Sequence, residues 1–147
     1  EIGCNSRLDS IQAAVLRIKL RHLNKYTHAR REAAAYYDSA FADVEAITTP
    51  YRAPYSDHGF HQYTMKLKGV DRDALLSYLQ ENGIPANIYY PVPVHLQKGY
   101  TQYGMKEGDM PRTEDLTRQV ISLPIHTELS EEQLNHITTH IKSFING

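Results

Sequence analysis

Residues 8–42 constrain this chain more than any other stretch. Leu8, Ile11, Val15 and Ile18 fall at helical spacing along one stripe, and Leu16, Leu20 and Leu23 form a second stripe beside it. The spacing predicts one long helix from Leu8 to about Ala42. It should bend between Asn24 and His28, where the pattern weakens, and resume at Ala33-Ala34-Ala35-Tyr36-Tyr37. Two adjacent stripes are wider than a single buried face needs. Such a helix is expected to pack on two sides, against its own domain and against a surface this chain does not carry. Arg17, Lys19, Arg21, Lys25, Arg30 and Arg31 make the helix basic, and a run of this kind reads as a solvated face.

The tip of that helix is built for an anion. Gly3 frees the backbone for a close approach, and Asn5, Ser6 and Asp9 are residue types that cap a helix start. Asp9 with Gln12 three positions later fits a loose capping box. A helix N-terminus presents unpaired N–H groups at the positive end of its dipole, and Asn5 and Arg7 add an amide donor and a guanidinium. A phosphate or carboxylate suits that arrangement, although the same residues also describe an ordinary capped helix.

Composition narrows the partners. Sixteen Lys+Arg against seventeen Asp+Glu leave a formal charge of −1, so nothing calls for nucleic acid or an anionic membrane. The single cysteine, Cys4, leaves no internal disulfide and fits the reducing cytoplasm. No apolar run approaches the ~18 residues of a membrane span, and no signal peptide opens the chain. Glu1-Ile2-Gly3 lacks an initiator Met and leads almost at once into the long helix, as expected of the middle of a longer protein.

Downstream, Val44 to Ile47 reads as a short edge strand and Thr48 to Gly59, with Pro50 and Pro54, as a loop. Phe60 to Lys68 alternates as a strand and would place His61 and Tyr63 on one face. Asp71 or Asp73 caps a helix through Leu75, Leu76 and Leu79, with Arg72 a helix-start residue and Asn82-Gly83 the left-handed stop. A second short strand is expected around Asn87 to Tyr90. Pro91-Val92-Pro93 makes a stiff loop holding His95 and Gln97, and Gly99 to Gly108 reads as a polar loop with Tyr100 and Tyr103. A short helix should start near Pro111 and run to Gln119, followed by a strand over Val120 to Leu123. Ser130 and Gln133 form a capping box, with Leu129 and Leu134 as its staple, for a last helix burying Leu134, Ile137, Ile141 and Phe144. These elements predict an α+β unit, with residues 1–42 as a connecting or interface helix and residues 43–147 as a small domain.

His61, Tyr63, Tyr89, Tyr90, His95 and Gln97 would make a polar pocket wall if their segments are neighbours; tyrosines can equally rim a small core. His136 and His140 stand four apart but lack the glutamate of a zinc protease motif and a third ligand, so they read as wet-face histidines.

Four segments in order resemble the DegT/DnrJ/EryC1/StrS family of pyridoxal-phosphate sugar aminotransferases. They are Gly3-Cys4-Asn5-Ser6-Arg7-Leu8-Asp9-Ser10-Ile11-Gln12-Ala13-Ala14; Arg72-Asp73; Gly83-Ile84-Pro85 through Tyr89-Tyr90-Pro91-Val92-Pro93-Val94-His95-Leu96-Gln97; and Ile121-Ser122-Leu123-Pro124-Ile125-His126 before Leu129-Ser130-Glu131-Glu132-Gln133. The Tyr-Tyr-Pro-Val-Pro-Val-His form is similar to members that aminate UDP- or dTDP-linked 3-keto sugars. The resemblance implies the small C-terminal domain of a fold-type I aminotransferase, a long helix leading into a mainly antiparallel sheet covered by helices. It implies a homodimer using pyridoxal 5'-phosphate, with glutamate and a nucleotide-linked keto sugar as substrates.

The resemblance also implies that Asn5 reaches the phosphate of the neighbouring subunit's cofactor, with Arg7 near it or near the substrate diphosphate. Tyr89, Tyr90 and His95 would line the sugar-nucleotide side, with Gln97 and His61 beside them. None of the seven lysines (Lys19, Lys25, Lys66, Lys68, Lys98, Lys106, Lys142) matches the Schiff-base context, so the chain alone is expected not to transaminate. Two alternatives stay open: a binding, dimerisation or regulatory module without catalysis, and a metal-dependent hydrolase built on His136 and His140.

Overall fold

The computed structural model describes residues 7–147. Gly3, Cys4, Asn5 and Ser6 lie outside the described residues, so the helix tip is seen only from Arg7 onward. The chain then runs α1 (Ser10–Lys19), a 3₁₀ turn (Leu20–His22), α2 (Leu23–Ala40), β1 (Ile47–Thr48), β2 (Tyr63–Leu67) and α3 (Arg72–Glu81). Two 3₁₀ segments (Val94–Leu96 and Lys98–Tyr103) precede α4 (Pro111–Gln119), β3 (Val120–Leu123) and α5 (Glu131–Asn146).

The sheet is antiparallel in the order β1-β2-β3. The central strand pairs Tyr63 with Leu123 and Met65 with Ile121 on one side, and Leu67 with Ile47 on the other. Its alternation turns Tyr63, Met65 and Leu67 inward and Lys66 outward, the period a half-buried strand requires. Helices close the inner face: α3 packs on β3, and α5 touches both α2 and α3. Tyr37, Met65, Leu75, Leu79, Ile121 and Ile141 meet in the core with no measurable exposure. The result is the α+β architecture expected from the sequence.

Local chemistry accounts for the helix ends. Asp9 Oδ1 accepts the Gln12 N–H at 2.8 Å, and Asp71 Oδ1 accepts the N–H groups of Asp73 and Ala74 at 3.0 Å. Gly83 takes φ +72° as α3 ends, a conformation that favours glycine. Ser130 and Gln133 make both halves of their capping box. Arg72 adds a link between helices, since its guanidinium donates to Asp73 and to the Thr117 carbonyl near the end of α4.

Several expectations need correction. The long helix breaks at Leu20–His22 rather than at Asn24 to His28. There the hydrogen bonding tightens, with the Leu23 N–H turning to the Leu20 carbonyl. α2 is seated in the core by Ala33, Ala34 and Tyr37, whereas α1 contributes no buried residue. β2 starts at Tyr63, not Phe60, because Phe60 takes φ +46° and leaves the extended conformation. Asn87 to Tyr90 is not a strand; only Asn87 bridges to Ser122. Part of the loop after Gln97 winds into the second 3₁₀ segment.

The basic face is exposed as expected at Arg17, Lys19, Arg21 and Lys25 but partly buried at Arg30 and Arg31. Arg31 Nε donates to the His58 carbonyl at 2.9 Å, and Arg30 Nε is buried without a partner among the described residues.

Burial separates the two ends of the chain energetically. Ile141→Ala should cost about 2–5 kcal/mol of unfolding free energy. Ile11→Ala, 79% exposed on α1, should stay within about 0.5 kcal/mol. Urea titrations of the two variants measure the contrast, and equal losses would refute this division.

Candidate functional site

The proline-rich loop after Asn87 carries most of the predicted site residues, and its anchors are local. Gln97 Nε2 donates across the turn to the Val92 carbonyl at 3.4 Å. Asn87 Nδ2 donates to the Tyr89 hydroxyl at 3.3 Å. Tyr89 and Tyr90 remain largely exposed. His95 is different: its side chain is 7% exposed, and Nε2 lies 3.0 Å from Glu114 Oε1, itself on a side chain 7% exposed.

Glu114 is the polar hub of this region. Both of its oxygens accept the Gly108 N–H at 3.0 Å, and Oε1 also accepts the Met110 N–H at 3.2 Å. Burial by itself pushes the Glu114 carboxyl up. The Gly108 and Met110 N–H groups, with His95 behind them, outweigh burial and hold it below the ordinary carboxylate range. The carboxylate therefore ties the first turn of α4 to the turn before it and to the proline-rich loop.

The structure distributes the predicted residues over separate places. His61 and Tyr89 border one cleft of about 180 Å³ together with Asn87 and Ser122. His95 instead borders a cavity of about 320 Å³ walled by Val94, Tyr100, Tyr103, Met105 and Met110. Tyr63 belongs to neither, which corrects the expectation that it shares a polar wall with His61. Its ring is fully buried, its hydroxyl donates to Asp38 Oδ1 at 2.7 Å, and burial with that bond raises its pKa. Arg52 Nε holds the other Asp38 oxygen at 2.6 Å, so this cluster is a structural anchor between α2 and β2. Arg7 is exposed two residues before the capping Asp9.

A further concavity, about 930 Å³, runs beside α5 past Pro85, Pro124, Leu129 and His136. Its histidines are already engaged: Tyr78 Oη stands 3.0 Å from His140 Nδ1, and His136 Nε2 stands 3.3 Å from the Asn82 carbonyl. Among the described residues no three His, Cys, Asp or Glu side chains are grouped to hold a metal.

Sequence reasoning missed Glu114. The available signal was its place in the first turn of a proline-initiated helix, behind a Met110 N-cap that has no capping side chain. A carboxylate there can reach back to the unpaired N–H groups.

Comparison with known proteins places the chain in a family. A profile of the DegT/DnrJ/EryC1/StrS aminotransferase family matches residues 1–142. A dTDP-3-amino-3,4,6-trideoxy-alpha-D-glucose transaminase of Streptomyces venezuelae is 41% identical over 142 residues, 97% of this chain and 37% of the relative. A UDP-N-acetyl-3-dehydro-alpha-D-glucosamine 3-aminotransferase of Acidithiobacillus ferrooxidans is 38% identical over 146 residues, 99% of this chain and 38% of the relative. The crystal structure of S. venezuelae DesV in complex with a ketimine intermediate superposes with a TM-score of 0.89 at 40% identity. It covers 99% of this chain and 38% of that one. The chain belongs to the DegT/DnrJ/EryC1/StrS aminotransferase family, and it spans little more than a third of the length of these relatives.

The lysines lie apart from the clefts that hold the candidate residues. Six of the seven lysines are exposed, and the seventh, Lys142, is half-exposed with Nζ 3.9 Å from Asp43 Oδ1. No lysine borders the cavities beside His61 or His95.

Glu114 makes folding pH-dependent with a definite sign. Because its folded-state pKa is depressed, its contribution is complete above the unfolded-state value and disappears as pH falls through the folded one. Glu114→Gln should lower the urea midpoint at neutral pH and converge on the parent in strong acid. An equal deficit at both pH values would rule out an ionised clamp.

Proposed function

We propose that this chain is the small domain of a pyridoxal-phosphate-dependent aminotransferase acting on a nucleotide-linked keto sugar, UDP- or dTDP-linked, with glutamate as amino donor. The substrate class rests on what the relatives' names state for those proteins. The structural observation that carries the assignment is α1. From just before α1 through the 3₁₀ turn to the first residue of α2, Leu8, Ile11, Leu16, Ile18, Leu20 and Leu23 are each between 49% and 79% exposed. An apolar face of that extent costs free energy in water, at roughly 25 cal/mol per Å², unless another surface covers it.

The covering surface is a cofactor-binding domain and a second subunit of a cytoplasmic homodimer, with residues 1–42 as the interface helix. In that assembly Asn5 and Arg7 contribute hydrogen-bond donors to the cofactor phosphate or the substrate diphosphate of the neighbouring subunit. Tyr89, Tyr90, His95, Gln97 and His61 line the sugar-nucleotide side. The covalent chemistry belongs to lysine and carboxylate groups outside this chain, so the chain alone has no transaminase activity. It acts there as a binding and dimerisation module.

Two measurements test this reading. The isolated chain should self-associate with rising concentration in sedimentation, and Ile11→Asp combined with Ile18→Asp should abolish it; a parent that stays monomeric throughout would refute the covered face. Once joined to a cofactor domain, Asn5→Ala should weaken pyridoxal phosphate retention by about 1.5–3 kcal/mol, one charge-assisted hydrogen bond. Unchanged cofactor affinity would remove Asn5 from the phosphate.

A further inference from the structure

The Glu114–His95 pair reaches beyond holding a loop. An ionised carboxylate only accepts hydrogen bonds, and Glu114 Oε1 lies 3.0 Å from His95 Nε2. That nitrogen must therefore carry a proton. In the neutral imidazole Nδ1 is then the lone-pair nitrogen, an acceptor. Among the described residues Nδ1 has no hydrogen-bond partner, yet the sole buried side-chain nitrogen or oxygen lacking one is Arg30 Nε. Nδ1 consequently keeps access to solvent even though the side chain is 7% exposed.

What lies beside the ring is suited to one kind of group. The cavity of about 320 Å³ is walled by Val94, Tyr100, Tyr103 and Met110. The Tyr100 and Tyr103 rings are stacked at 6.1 Å. A mainly apolar, aromatic wall, completed by Met105 and Thr113 and bordered by the His95 ring, can hold the C–H face of a ring while the imidazole orients one of its hydroxyls.

We propose that Glu114 is a positioning residue: it locks the His95 ring with Nε2 protonated and so presents Nδ1 as the acceptor for a hydroxyl on the sugar portion of the ligand. The ligand half rests on the sugar-nucleotide reading above. The Glu114–His95 half does not.

Nitrogen-15 NMR of the His95 ring in the unsubstituted chain, at a pH where the imidazole is neutral, tests the first half. A single tautomer protonated at Nε2 is expected, and Glu114→Gln should bring in the second tautomer. An Nδ1-protonated ring or a mixture in the unsubstituted chain overturns the positioning role, whether or not the variant folds. The second half is read in the polypeptide that joins this sequence to its cofactor domain. There Glu114→Gln should raise KM for a UDP- or dTDP-linked keto sugar about tenfold, the worth of one oriented hydrogen bond, with kcat little changed. An unchanged KM overturns the contact with sugar. Absence of transamination in the unsubstituted protein overturns the sugar-nucleotide reading and the ligand half with it, and leaves the tautomer result standing.

Discussion

Apolar burial on one face of a three-stranded sheet holds the molecule together. β1 is two residues long and β3 four, so backbone pairing alone is a weak foundation. Met65 and Ile121 supply the sheet side of the core, Leu75 and Leu79 the α3 side, Tyr37 and Ile141 the α2 and α5 sides. Each such side chain contributes roughly 1.5–3 kcal/mol when fully withdrawn from water. Removing the helices would leave a sheet too small to persist. The polar groups that enter this core arrive paired: Tyr37 Oη donates to the Pro124 carbonyl, Tyr63 Oη to Asp38, and Thr64 Oγ1 meets Ser122 Oγ.

That core also explains why α1 stands apart. α2 is committed to it through Ala33, Ala34 and Tyr37, and the 3₁₀ turn at Leu20–His22 separates this committed half from a segment with no buried residue. The apolar side chains of α1 are as numerous as those of a core helix, but none of the described residues buries them. Arg7, the first described residue, stands exposed just before that segment.

The loops that carry the candidate residues are organised by a second, polar centre. Around Glu114 three donors converge from the Gly108–Met110 turn and His95. One carboxylate thus orders a stretch whose prolines already restrict it. A buried carboxylate is tolerable only because its acceptor capacity is filled. The loop is therefore tied down at His95 and exposed at Tyr89 and Tyr90.

Much of this was legible in the residues themselves. The caps at Asp9, Asp71 and Ser130 are interactions between near neighbours, as is the glycine stop at Gly83, and such interactions are written in spacing. The alternation around Met65 and the stripes of α3 and α5 name their inner faces for the same reason. The family, and with it the candidate set of Asn5, Arg7, His61, Tyr89, Tyr90, His95 and Gln97, also follows from ordered local motifs.

What tertiary structure decided involves residues far apart in the chain. Only packing could send Tyr63 to Asp38 instead of beside His61, or seat His61 with Tyr89 in one cleft and His95 in another. Only folding could bring Glu114 against a histidine nineteen positions earlier. Local spacing determines which element a residue joins. Which distant group satisfies its buried hydrogen bonds depends on a three-dimensional path that periodicity does not encode.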